Sequence, residues 1–134
     1  MKYTFTSHGH PNILATHKAT LEITKDSELT KNGDCIVAVG ADFSLQQLRR
    51  IIGSCGDGGK IKLTIDVAGL KTEVIAVANK DFCSESEIVL RKGNFLSERT
   101  LGIHAGKAAA DLDRNLVEKL KSPASIVFVT VSNI

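Results

Sequence analysis

The chain has 134 residues, 43% of them hydrophobic, which suits one compact domain with a sizeable core. Its 17 basic and 15 acidic residues leave a net charge of +2, too near balance to attract nucleic acid by bulk electrostatics. Trp is absent, and the one Tyr and five Phe are scattered, which argues against a platform for stacking bases.

In chain order, "KYTFTS" reads as a short strand with Tyr3 and Phe5 on one face. "THKATLEIT" (16–24) reads as a second strand. His17, Ala19, Leu21 and Ile23 share its apolar face, and Thr20, Glu22 and Thr24 lie on the other. "GHPN" between them supplies turn residues, so the two strands are expected to form a long-looped hairpin. "CIVAVG" is apolar on both faces and reads as a buried strand, with Cys35 as a buried thiol. In "ADFSLQQLRRII", Ser44 and Gln47 have capping-box spacing and Leu45, Leu48, Ile51 and Ile52 form an apolar stripe, so a helix is expected that ends at Gly53. Cys55 follows in a Gly-rich loop and is expected to be exposed. "KIKLTIDV" and "TEVIAVAN" form a hairpin across "AGLK". "SEIVLRKG" and "SERTLGIH" are two more short strands. "AGKAAADLDRNLVEKLKS" is a second helix, with Pro123 just past its end, and "SIVFVTVSN" closes the chain as a strand.

The two halves match in order. Sliding the second over the first sets Ile36 against Leu101, Arg49 against Arg114, Ile51 and Ile52 against Leu116 and Val117, and Ile61 against Ile126. The expectation is therefore an α+β, β-rich single domain over residues 1–134. Its sheet would be mixed and mostly antiparallel, or closed into a small barrel, built from two ββαβ-like halves (about 16–68 and 86–134) with two helices. The first strand and "TEVIAVAN" are additions to that plan.

The stretches "GHPNILATHKATLEITK", "GDCIVAVGAD" and "RKGNFLSERTLGIHAGKAAADLDR" resemble, in order and over nearly the whole chain, a family of small archaeal proteins known as a domain of unknown function. The resemblance implies an archaeal, soluble, cytoplasmic protein and brings no mechanism with it. Independently, apolar runs such as Ile126–Val129 are too short to span a bilayer, and the N-terminal stretch lacks the apolar core of a signal peptide. Cys35, Cys55 and Cys83 show no CxxC spacing, which suits free thiols in the cytoplasm.

Two constellations bear on chemistry. The first holds His8, His10 and His17 around the expected hairpin loop. Cross-strand neighbours there would bring His8 opposite His17, and with His10 they could hold Zn²⁺. On that reading the protein is a metal-dependent hydrolase, with His8, His17 and His104 as candidate catalytic groups. The second is an anion site built from Arg91, Arg99, Gly106 and Lys107, where small residues precede the second helix and its N-terminus favours anions. "GIHAGKA" is not a P-loop, since its glycine spacing is short and Ala108 stands where a Ser or Thr would hold Mg²⁺. The anion site gives the preferred expectation: a non-catalytic binding domain for a phosphate-bearing ligand, either RNA or a nucleotide. A structural protein that forms homo-oligomers is the third reading.

Overall fold

A computed structural model describes residues 1–134. Eight strands form one sheet: β1 (Lys2–His8), β2 (Thr20–Thr24), β3 (Ile36–Ala38), β4 (Lys60–Val67), β5 (Leu70–Ala78), β6 (Glu87–Arg91), β7 (Thr100–Ile103) and β8 (Ile126–Asn133). Helix α1 (Leu45–Gly53) follows β3, and α2 (Arg114–Leu120) follows β7. The α+β class is as expected. The order across the sheet is β1-β8-β4-β5-β7-β6-β2-β3, antiparallel except for the parallel pairs β2–β3 and β6–β7.

The sheet does not close into a barrel. Its edges, β1 and β3, meet at one antiparallel bridge, between His8 and Val39. Beyond it, Gly40 turns the chain away with a positive φ of 60°. The Asp42 carboxylate then takes the Thr6 amide (2.8 Å) and hydroxyl (2.9 Å), so a side chain stands where a further ladder bond would be.

The expected hairpin between the first two strands does not form. β1 pairs along its length with β8, and β2 pairs with β6 and β3. Gly9 explains the detour. Its amide donates to Ser125 O (3.2 Å), and a Cβ there would run into the carbonyls of Ser122 and Leu120. Its lack of a side chain allows close approach to the α2–β8 connection. The hairpin β4–β5 does form, across Ala68 and Gly69, both at positive φ.

The pairings of the first half recur in the second. The bridge of His8 with Val39 has its counterpart in Val77 with Ile103. Glu22 with Ile36 corresponds to Val89 with Thr100, and each parallel pair carries one register shift. The turns after β3 and β7 match bond for bond. Gly40 N–H reaches Asp26 O as His104 N–H reaches Gly93 O, and Asp42 N–H reaches Thr6 O as Gly106 N–H reaches Ile75 O. His104 repeats the positive φ of Gly40, at 53°. The repeating unit is therefore βββαβ, with β1 equivalent to β5. The ββαβ halves at 16–68 and 86–134 leave out one strand from each unit. A pseudo-twofold axis passes between β4 and β8 at the Thr64–Thr130 pair and between β2 and β6 at the Glu22–Val89 pair.

Both helices bury one stripe against the sheet: Leu48, Ile51 and Ile52 from α1, and Leu116, Val117 and Leu120 from α2. The Ser44 hydroxyl caps α1 by accepting from Gln47 N–H (3.3 Å). The second helix is shorter than its sequence suggests. Ala109–Asp111 is a separate 3₁₀ turn, and α2 begins only after Asp113, whose carboxylate accepts from Asn115 N–H at 2.8 Å. No helix is long and apolar enough to cross a membrane.

Candidate functional site

The largest concavity, about 1010 Å³, lies on the outer face of β1-β8-β4-β5, and no hydrophobic residue lines it. Strand alternation builds its floor. β4 turns Ile61, Leu63 and Ile65 into the core, which leaves Lys62 and Thr64 outside. The register sets Lys62 beside Ser132 and Lys2, and Thr64 between Thr130 and Glu73. The segment after β7 forms one wall. Gly106 N–H is bonded to Ile75 O (3.0 Å), which fixes that segment along the free edge of β5. Lys107 follows, its ammonium donating to Thr72 Oγ1 at 2.9 Å.

Every carboxylate in the groove is already engaged. Glu73 pairs with Lys62 (3.0 Å) and Asp113 caps α2. Asp111 accepts from Ala108 N–H (2.9 Å) and pairs with Lys92 (2.6 Å), and these two partners hold its carboxyl below the usual range. Lys71 has only a loose pairing with Asp66, at 3.8 Å. Lys2 and Lys107 have no carboxylate within 4.0 Å. The groove thus offers hydroxyls and uncommitted ammonium groups, a surface suited to an anion.

Of the anion-binding residues expected from sequence, Lys107 alone lines this groove. The Gly106 amide is spent on Ile75. The helix that was to focus positive potential there starts at Arg114 instead, so its N-terminus does not act at Lys107. Arg91 Nε bonds Thr100 Oγ1 (2.8 Å), with its guanidinium 5.0 Å over Phe95. Arg99 Nη1 grips both oxygens of Glu87, each at 3.1 Å. These two arginines flank a parallel crossover rather than a tight turn, and each is held by its own partner.

The histidine constellation does not assemble. His10 Nδ1 accepts from its own loop, from Asn12 N–H at 3.0 Å. His17 Nδ1 accepts from Thr20 N–H at 3.1 Å. His8 ends β1 opposite Ile126, because the hairpin that would have set it against His17 is absent. No group of three His, Cys, Asp or Glu side chains able to hold a metal forms, so His8, His10 and His17 make no zinc site. His8, His17 and His104 also lie outside every surface groove.

Sequence reasoning missed a cluster on the other stretch of the pseudo-axis. Leu21 and Ile23 point into the core, which turns Glu22 to the opposite face of β2. There it is 6% exposed, beneath Glu87, Arg99 (3.7 Å) and Cys35 (Sγ–Oε1 3.8 Å). Burial and the neighbouring Glu87 raise its pKa to about 7. Its hydrogen bond, with Arg99, holds Glu87 low. Burial and the charge of Glu22 push the Cys35 thiol up, which makes it a poor nucleophile. Cys35 is half-buried, not sealed in the core, and Cys55 is half-buried too, its thiol donating to Ile51 O at 3.3 Å. No groove opens beside Glu22, and the cluster ties β2 to β6 through Arg99, which reaches both Glu22 (3.7 Å) and Glu87 (3.1 Å).

Comparison with known proteins gives a consistent picture of kinship. Residues 5–133 match the family model described as Domain of unknown function (DUF371). An uncharacterized protein of the archaeon Methanocaldococcus jannaschii is 37% identical over 131 residues, which span 96% of this chain and 97% of that protein.

Proposed function

The chain belongs to the DUF371 family, as its motifs suggested, and since that membership names no activity we propose from the groove alone that the protein binds a small phosphate-bearing molecule. The observation that carries this reading is the all-polar groove in which Lys2 and Lys107 lack carboxylate partners. Lysines attract phosphate as point charges, and the hydroxyls of Thr64, Thr72, Thr130 and Ser132 supply donors around it. No aromatic side chain lines the groove, so nothing there would stack a base. A small ligand held by its phosphates therefore fits better than single-stranded RNA. The three free thiols favour a reducing compartment, and we place the protein in the cytoplasm.

Calorimetric titration in low-salt buffer with tripolyphosphate, ATP and a short single-stranded RNA tests this. The expected result is salt-sensitive binding of tripolyphosphate or ATP, weakened about tenfold by Lys107→Ala, one lost charge-assisted contact. Tighter binding of the RNA than of either small ligand would reassign the groove to nucleic acid. Absence of binding by all three would overturn the proposal.

A further inference from the structure

The pseudo-symmetry of the fold divides the groove into two ends. The register pairs Thr64 with Thr130 on the axis, in the middle of the floor. β1 is equivalent to β5, and Thr4 beside Thr130 matches Glu73 beside Thr64. Counting two residues back from each places Lys2 and Lys71 as symmetry mates, on the same outer face and on opposite sides of the axis. Each has a second lysine near it. Lys62 lies in the same row as Lys2, across Ser132. Lys107 lines the same groove as Lys71, its ammonium bonded to Thr72, the residue that follows Lys71 on β5. Between the two ends Thr4, Thr130 and Thr64 form an uncharged stretch of the floor, with the Thr4 and Thr130 hydroxyls 2.8 Å apart, and Glu73, next in that row, is neutralised by Lys62 at 3.0 Å.

We propose that the ligand of this groove carries two phosphates, one bound at the Lys2–Lys62 end and the other at the Lys71–Lys107 end, with a hydroxyl-bearing or neutral spacer lying across the threonines. The inference rests on the reading of the groove as a phosphate site. Geometry supports two ends over one centre. β1 and β5 are three strand spacings apart and their lysines are offset along the strands, so the Lys2 and Lys71 Cα atoms lie roughly 20 Å apart. One phosphate cannot engage both ammonium groups at once, whereas a linear bisphosphate can reach from end to end. Joining two weak contacts in one molecule makes the second intramolecular, so affinity rises without any new contact.

The test is titration of the full chain with hexane-1,6-diol bisphosphate and with hexyl phosphate in the same low-salt buffer, followed by Lys2→Ala and Lys71→Ala. Both substitutions are on the surface, and Lys60→Ala, also exposed but outside the groove, serves as the charge control. The proposal expects the bisphosphate to bind at least tenfold more tightly than the monophosphate. Each groove variant should bring the bisphosphate down to the monophosphate's affinity, while Lys60→Ala changes it less than twofold. Equal affinities for the two probes would overturn the two-ended ligand and leave the phosphate reading standing. A preference for the bisphosphate that both groove variants retain would overturn the assignment of the ends. Failure of both probes while tripolyphosphate or ATP binds would overturn this inference alone, and failure of all of them would overturn the phosphate reading with it.

Discussion

Glu22 shows what one residue can impose. Its carboxyl has a folded pKa of about 7 against an ordinary value of 4.5, so the native state binds its proton more tightly than the unfolded chain does. The stability this confers is fully present below pH 4.5 and is lost as pH rises through 7. The loss is on the order of 2–3 kcal/mol, at 1.36 kcal/mol per pKa unit and allowing for the shared proton. Glu87 works in the opposite direction. Its pKa is lowered, so its contribution is present above pH 4.5 and disappears as pH falls through its folded value. Glu22→Gln keeps the shape of the protonated side chain and removes the charge. Urea denaturation at pH 5 and pH 8 should show the variant close to the parent at pH 5 and more stable by about 2 kcal/mol at pH 8. An unchanged pH profile would show that Glu22 titrates normally. The sequence placed Glu22 on the polar face of its strand, with Thr20 and Thr24. It could not show that β6 and the Arg99 segment would cover that face, because such contacts are set by strand order.

At the scale of elements, strands were easier to read than the start of α2. In β4 and β8, alternation is a direct record of one buried and one outer face. "AGKAAADLDR" is rich in the helix formers Ala, Lys, Leu and Arg, yet the side chains of Asp111 and Asp113 capture backbone amides and divide it into a 3₁₀ turn and a later helix. Local hydrogen bonds prevail over propensity here, and the helix N-terminus expected beside Lys107 lies at Asp113 instead. Asp113→Ala should therefore cost about 1 kcal/mol in thermal or urea denaturation, the usual value of an N-cap. A change below about 0.3 kcal/mol would mean that packing of Leu116 and Val117 alone sets the start of α2. Gly40 makes a second case. Its φ of 60° and the His8 ring 3.2 Å from a built Cβ leave little freedom, so Gly40→Ala should destabilise by about 1–2 kcal/mol. A stability within error of the parent would show that the turn can relax.

The histidines and the groove show why function was less legible than fold in the whole molecule. Chain proximity suggested that His8, His10 and His17 meet, but β1 is drawn away to β8 across nearly the full length of the sequence. The groove is assembled from strands at both ends of the chain, so Lys2, Lys62, Lys71 and Lys107 share no sequence pattern. The pseudo-symmetry, which relates Lys2 to Lys71, is itself testable. β8 and β1 are antiparallel neighbours with Ser132 opposite Lys2, just as β4 and β5 are neighbours joined by Ala68 and Gly69. A chain opened between Ala68 and Gly69, with its original ends joined by a short Asn-Gly-containing turn, would run β5 to β8 and then β1 to β4. By the symmetry, that order has the same sequence of elements as the natural one. Two-residue turns with positive φ suit such a junction, and permutation is tolerated where chain ends lie close together at the surface. The permuted protein should fold cooperatively, with a far-ultraviolet spectrum like the parent's and a stability loss of less than about 3 kcal/mol, since no core contact is removed. It should also keep tripolyphosphate binding, because all four groove lysines return to their places. A permuted chain that stays unfolded would mean that the covalent β4–β5 hairpin, rather than the paired units, drives assembly of the sheet.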